Sequence, residues 1–300
     1  MSIFMPIFML KHFILLLFIL LIANLNAQSE LQIILKRHVT FLASDDLKGR
    51  ATGSPEEVIA NNYVISHWTK NRKTKFLNWE FEVDYDSTVL HSKMIACFIN
   101  NKKDSTIIIG AHIDHIGLGG KLSQSFKKDE IHNGADDNAS GVAWLIEIQK
   151  YLADKKLNYN LLFVPYSAHE IGLFGSEYLS NHLPKKARKI ALVLNADMIG
   201  RQQKNPEVLY VSCQNELIEK INQRLWNYKI DFTGTKKIEL LDTKHFLKNR
   251  IPCISISTGQ HNDYHKTSDK TEYINFEGLE AITKSWAEWI CAFGTIHCTK

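Results

Sequence analysis

The run STIIIGAH, Ser105 to His112, decides how the chain reads. Its β-branched residues form a short apolar run that ends in a histidine, the pattern of a buried strand. Outward from it the same alternation repeats. GVAWLIEIQKYLADKK (141–156) reads as an amphipathic helix, with Asn138 and Ser140 available as caps. LLFVPYS (161–167) is a strand, SEYLSNHL (176–183) a short helix, and KIALVLNAD (189–197) and EVLYVSC (207–213) are strands. NELIEKINQRLWNYK (215–229) reads as helix, IPCISIST (251–258) as strand and FEGLEAITKSWAEWICAF (276–293) as a closing helix. Upstream, Leu31 to Ser44 and Pro55 to Asn71 have helical apolar spacing around the loop SDDLKGRATGS (44–54). Phe76 to Tyr85 and Ser92 to Ile99 read as strands. Buried strands alternating with helices predict an α/β fold: a mixed, largely parallel sheet covered on both faces.

The chain has 300 residues, 45% of them hydrophobic, enough for one sizeable core. Its 36 basic and 32 acidic side chains are interspersed, so no nucleic-acid stripe or polybasic membrane patch stands out. The first 27 residues differ. FILLLFILLIA (13–23) follows Lys11 and precedes NLNAQ, with Ala27 as a cleavage position, which reads as a secretory signal peptide. The run is short for a bilayer span of about 20 residues. The expectation is a signal peptide over 1–27, a single domain over 28–300, and a periplasmic or secreted product without stable membrane association. The five cysteines form no C-x-x-C pair, which argues against a zinc–thiolate site. Cys97 and Cys253 read as buried thiols, and Cys291 and Cys298 are close enough in sequence to pair.

In such sheets ligands gather at the carboxyl ends of the strands. Every strand end here carries metal-type side chains. GAHIDH places His112 and Asp114 two apart, on one side of the strand. NGADDNASG holds Asp136 and Asp137 before a helix. AHE carries Glu170, NAD carries Asp197, and NDYHKTSD carries His265 and Asp269. Each piece alone has an ordinary structural reading, such as a capping turn. Their succession in order is hard to credit to accident. Imidazoles and carboxylates without thiols suit zinc, with cobalt or manganese as substitutes.

FLASDDLKGRATGSPEE, GAHIDHIG, NGADDNASGVAWLIEI, HEIGLFGSEYL, LNADMIG and IPCISISTGQHNDYHKTSDKTEYINFEGL together resemble the M28 family of zinc aminopeptidases, particularly its bacterial exported members. The resemblance implies a three-layer α/β/α domain around a mixed sheet and two zinc ions about 3.5–4 Å apart. It implies that His112 and Asp197 hold one ion, Glu170 and His265 the other, and that Asp137 bridges them. Asp114 would support His112 by accepting its remaining N–H, Asp269 would do the same near His265, and Tyr264 would hydrogen-bond the tetrahedral oxyanion. Peptides are the implied substrates.

One position departs from the family. Two consecutive glutamates are usual; the second binds zinc and the first is the general base. Here they are His169 and Glu170. An imidazole can take the proton of the attacking water and pass it to the leaving amine, although two cations beside it disfavour its protonated form. His169 has two other readings: an added zinc ligand, or the mark of a relative that keeps its metals and binds peptides without turnover. A third class, the glutaminyl cyclase-like transferases, shares the architecture but uses a single zinc. A smaller departure lies in LLDTKHF, where Asp242 is kept and Thr243 stands for a histidine; the sequence suggests no role for either. His115, His132 and His261 read as exposed loop histidines, and the loop from Gly117 to His132 is expected to border the cleft.

Overall fold

The computed structural model describes residues 28–126, 129–184, 189–202, 208–224, 226–234 and 241–293. The signal-peptide reading and Cys298 lie outside them.

Helix α1 (Glu30–Leu42) starts where the Ser29 hydroxyl accepts the N–H of Gln32, and α2 (Pro55–His67) where Ser54 accepts that of Glu57. Proline at the first position of α2 suits a site whose N–H would be unpaired anyway. A hairpin follows, β1 (Thr74–Tyr85) and β2 (Thr88–Ile99), then β3 (Thr106–His112), α3 (Gly141–Leu152), β4 (Asn160–Tyr166), α4 (Phe174–Asn181) and β5 (Ile190–Ala196). The chain ends in β6 (Val208–Cys213), α5 (Asn215–Asn222), β7 (Lys229–Phe232), the short α6 (Lys244–Lys248), β8 (Cys253–Ser257) and α7 (Phe276–Phe293). All eight strands form one sheet in the order β1-β2-β4-β3-β5-β8-β6-β7. The central four, β4-β3-β5-β8, are parallel, while β1, β2 and the β8–β6 pair introduce antiparallel contacts.

The strand period of two sorts the core into layers. Ile107 and Ile109 face α1, α2, α3 and α7, beside Leu35, Val64, Trp144 and Trp286. Ile108, with Leu162, Val164 and Val193, faces the other way, toward Leu179 and Phe246 of α4 and α6. This is the expected three-layer arrangement. Cys97 and Cys253 are buried free thiols, as read.

One expected element changes. The helix read over 215–229 stops at Asn222. Trp226, Tyr228, Ile230 and Phe232 alternate with polar residues, and that period makes Lys229–Phe232 an edge strand parallel to β6. Asn138 does act as a cap, its Oδ1 accepting the N–H of Gly141 at 3.0 Å. The Ser140 hydroxyl instead donates to the Asp136 carbonyl.

Gly110 shows how tightly the site's edge is built. A Cβ there would lie 2.2 Å from the ring of Tyr166, whose backbone pairs with the neighbourhood of His112. Gly110→Ala is expected to cost about 1–3 kcal/mol by overpacking, read as a lower urea midpoint with an unchanged m-value.

Candidate metal centre

β3, β4, β5 and β8 point their carboxyl ends to one edge, and the chain leaves β3 for β4 on one side and reaches β5 on the other. That is a topological switch point, where a crevice opens. His112 is the last residue of β3 and Asp197 follows β5, so the strands place them directly. Their facing atoms, His112 Nε2 and Asp197 Oδ1, are 3.3 Å apart.

The other side chains need their loops shaped. Asp137 sits in the ADDNAS turn, where Gly134 has φ +57°; a Cβ there would lie 2.1 Å from the Asp137 carbonyl. The Asp269 carboxylate accepts the backbone N–H groups of Asp136 and Asp137 at 3.0–3.1 Å. Asn138 donates to Ala196 O and accepts from Met198 N, tying the turn to β5. Beneath lies Arg50, fully buried. Its five N–H groups donate to the carbonyls of Leu42, Ile113, Asn133, Gly134 and Asp137, and its charge is balanced through space by Asp137, Asp269, Asp114 and Glu170. The turn after β4 is held by Asp114, whose carboxylate accepts the backbone N–H groups of His169 and Glu170 and the hydroxyl of Thr52. His265 sits in a left-handed conformation, φ +53°, and its Nδ1–H donates to Leu122 O.

These loops converge on Asp137. Its Oδ1 is 3.3 Å from His112 Nε2, and its Oδ2 is 3.4 Å from His265 Nε2. His265 Nε2 is in turn 3.0 Å from Glu170 Oε2. His115 occupies the second oxygen of Glu170, Nδ1 donating to Oε1 at 2.8 Å. Ligands at 2.0–2.1 Å from a tetrahedral ion lie about 3.3 Å apart, so these separations fit donors around ions. His265 Nε2 supports the fit, because it is buried and near two carboxylates yet makes no aligned hydrogen bond. The described groups that could hold an ion are His112, Asp137 and Glu170, and His112, His169 and Asp197.

Electrostatics favours the same reading. Burial and Asp137 push Glu170 up, but the hydrogen bond from His115 and the imidazole of His265 beside it hold it at about 2. Burial pushes His265 down, and Asp137 and Glu170 outweigh it, raising it to about 10. The cluster keeps its carboxylates charged and draws positive charge to itself; cations would displace the imidazole protons.

Residues 94–290 match the family described as peptidase family M28. The chain belongs to peptidase family M28. Leucine aminopeptidase 1 of Pyrenophora teres f. teres is 31% identical over 205 residues, which cover 62% of this chain and 51% of that protein. The LapA aminopeptidase of Legionella pneumophila superposes with a TM-score of 0.68 at 18% identity, over 91% of this chain and 79% of LapA. A glutaminyl cyclase of Porphyromonas gingivalis does so with a TM-score of 0.69 at 20% identity, over 86% and 97%. The two superpositions speak for the fold alone. The chain spans about half the length of the curated relatives it matches.

Within this M28 fold, four details depart from the sequence expectations. The Nδ1–H of His112 donates to the backbone carbonyl of Asp114 at 3.1 Å, not to its carboxylate, which the turn after β4 has already claimed. Asp269 holds the Asp137 turn rather than His265. His115 and His132 are buried and His261 is mostly so, with His261 Nε2 3.2 Å from Asp136 Oδ2; none is a free loop histidine. Asp242 is buried and meets His169. The loop after Gly117 does border the centre, through Leu122 and His265. Tyr264 stacks on the His265 ring and, with His169, Asp137, Asp197, Met198 and Tyr210, lines a cavity of about 300 Å³ beside the centre.

Proposed function

We propose that this chain is an exported dinuclear zinc aminopeptidase, residues 28–300 forming one catalytic domain, that removes N-terminal residues from peptides with His169 in the place of the glutamate base. The observation that carries the reading is the Asp137 carboxylate, one oxygen toward His112, which also faces Asp197, the other toward His265, which also faces Glu170. In this reading His112, Asp197 and Asp137 hold one zinc, and Glu170, His265 and Asp137 the other. When bound, the ions would polarise the scissile carbonyl and acidify water.

The chain's own residues do the rest. The cavity beside Met198 and Tyr210 takes the N-terminal side chain, and Tyr264 donates to the oxyanion. His169 Nε2 accepts the proton of the attacking water as the new C–O bond forms, and delivers it to the leaving nitrogen as the C–N bond breaks. Among the described residues no helix is long and apolar enough to cross a membrane. With the signal peptide removed, this fits a product acting on peptides outside the cytoplasm.

The test is mass spectrometry of a mixed peptide pool incubated with the zinc-loaded mature protein or its His169→Ala variant. N-terminal trimming by the wild type, reduced about 10²–10⁴-fold in the variant, is the range expected for a lost proton shuttle. Equal trimming by both would demote His169. Loss of ammonia from N-terminal glutamine without trimming would make the protein a cyclase, and metal binding without any product would make it a peptide-binding relative.

A further inference from the structure

We propose that Asp242 is the positioning residue that makes His169 a proton carrier and keeps it from becoming a metal ligand. The inference rests on the reading of His169 as the base and concerns what sets that role.

The donor atoms of His112, His169 and Asp197 lie within 4.8 Å of one another, close enough to suggest that all three hold one ion. The ring orientations argue otherwise. The His112 and His169 imidazoles are stacked, centroids 3.7 Å apart and planes within 8° of parallel. An imidazole lone pair lies in the plane of its ring, so a ligated ion must lie close to that plane. No point lies in the planes of two stacked rings. Sharing an ion would require one ring to swing out of the stack.

His112 is fixed as the last residue of β3, with its Nδ1–H on the Asp114 carbonyl. His169 is fixed by Asp242. Its Nδ1 is 2.9 Å from Asp242 Oδ2, and Asp242 is completely buried. A carboxylate accepts, so Nδ1 carries the proton and the lone pair sits on Nε2. Nε2 faces the centre, 4.0 Å from Asp197 Oδ2, too far for a hydrogen bond and open to a water or a substrate nitrogen. The backbone N–H of His169 is held separately by Asp114, so ring and backbone have different anchors. The arrangement follows a general pattern in which a buried carboxylate fixes the tautomer of a base. It also assigns a purpose to LLDTKHF: Asp242 stands just ahead of α6 and meets the residue that replaces the usual glutamate.

The experiment uses zinc-loaded protein with ¹⁵N-labelled histidine, as wild type, Asp242→Asn, His169→Ala and the double variant. In the wild type, His169 should show a protonated Nδ1 and an Nε2 that is neither protonated nor metal-bound. Asp242→Asn should move the proton to Nε2, lower kcat on the order of 10³–10⁴-fold, leave KM within about threefold and leave the zinc content unchanged. In the His169→Ala background the Asp242→Asn change should have no further effect on kcat, because the two act as a unit. A metal-shifted Nε2 resonance of His169, or equal losses from Asp242→Asn with and without His169, would overturn the proposal. The tautomer and zinc content are read from the protein itself, so a wild type without peptidase activity would refute the function and still decide the role of Asp242.

Discussion

Asp137→Asn is expected to empty the centre of both ions and to lower peptide hydrolysis by at least about 10³-fold, the equivalent of several kcal/mol of lost transition-state stabilisation. The reason is its position. One oxygen lies 3.3 Å from His112, which also meets Asp197, and the other 3.4 Å from His265, which also meets Glu170. An amide has one oxygen and no charge, so it can serve one side at most. Elemental analysis after zinc loading should fall from two ions per chain toward none. Chelator should then lower the melting temperature of the wild type but not of the variant, because a ligand that binds only the folded state stabilises it in proportion to its occupancy. Two ions retained by Asp137→Asn would refute the bridging role.

Arg50→Gln is expected to be the most destabilising single change, by about 4 kcal/mol. Arg50 is nearly inaccessible, and each of its N–H groups meets a backbone carbonyl, two of them in the turn that carries Asp137. Glutamine offers two donors, so at least three carbonyls would be left buried without partners. It also removes the cation that balances Asp137, Asp269, Asp114 and Glu170. Calorimetry should show a melting temperature lower by about 8 °C, and zinc affinity should fall as the turn loosens. A variant that melts within 2 °C of the wild type, a margin of about 1 kcal/mol, would mean that water or a shift of the turn replaces the guanidinium.

The buried polar groups behind the centre are the least legible in the sequence. Arg50 reads as one more residue of a glycine-containing loop, because its partners lie up to 87 positions away. Asp242 carries no local pattern and acquires meaning only when α6 brings it to His169. His115, His132 and His261 lie in loops and read as exposed, yet the folding of those loops onto the sheet edge buries the first two and covers most of the third. The β7 strand is hidden in the sequence for a different reason: the Trp226–Phe232 alternation begins directly after a helical segment and reads as its continuation.

The alternation of buried strands and helices and the metal-type side chains at strand ends are both local patterns, legible in the amino-acid order alone. The period of two in the strands settles which residues face which layer, and the parallel run β4-β3-β5-β8 brings the ends of those strands to one edge. Which atom faces which emerges only in the folded chain: the two directions of the Asp137 carboxylate, the Asp114 carboxylate spent on backbone N–H groups, and the His169 ring stacked on His112 and held by Asp242. Those depend on hydrogen bonds between residues far apart in the chain, whose geometry exists only once the sheet has brought their loops together.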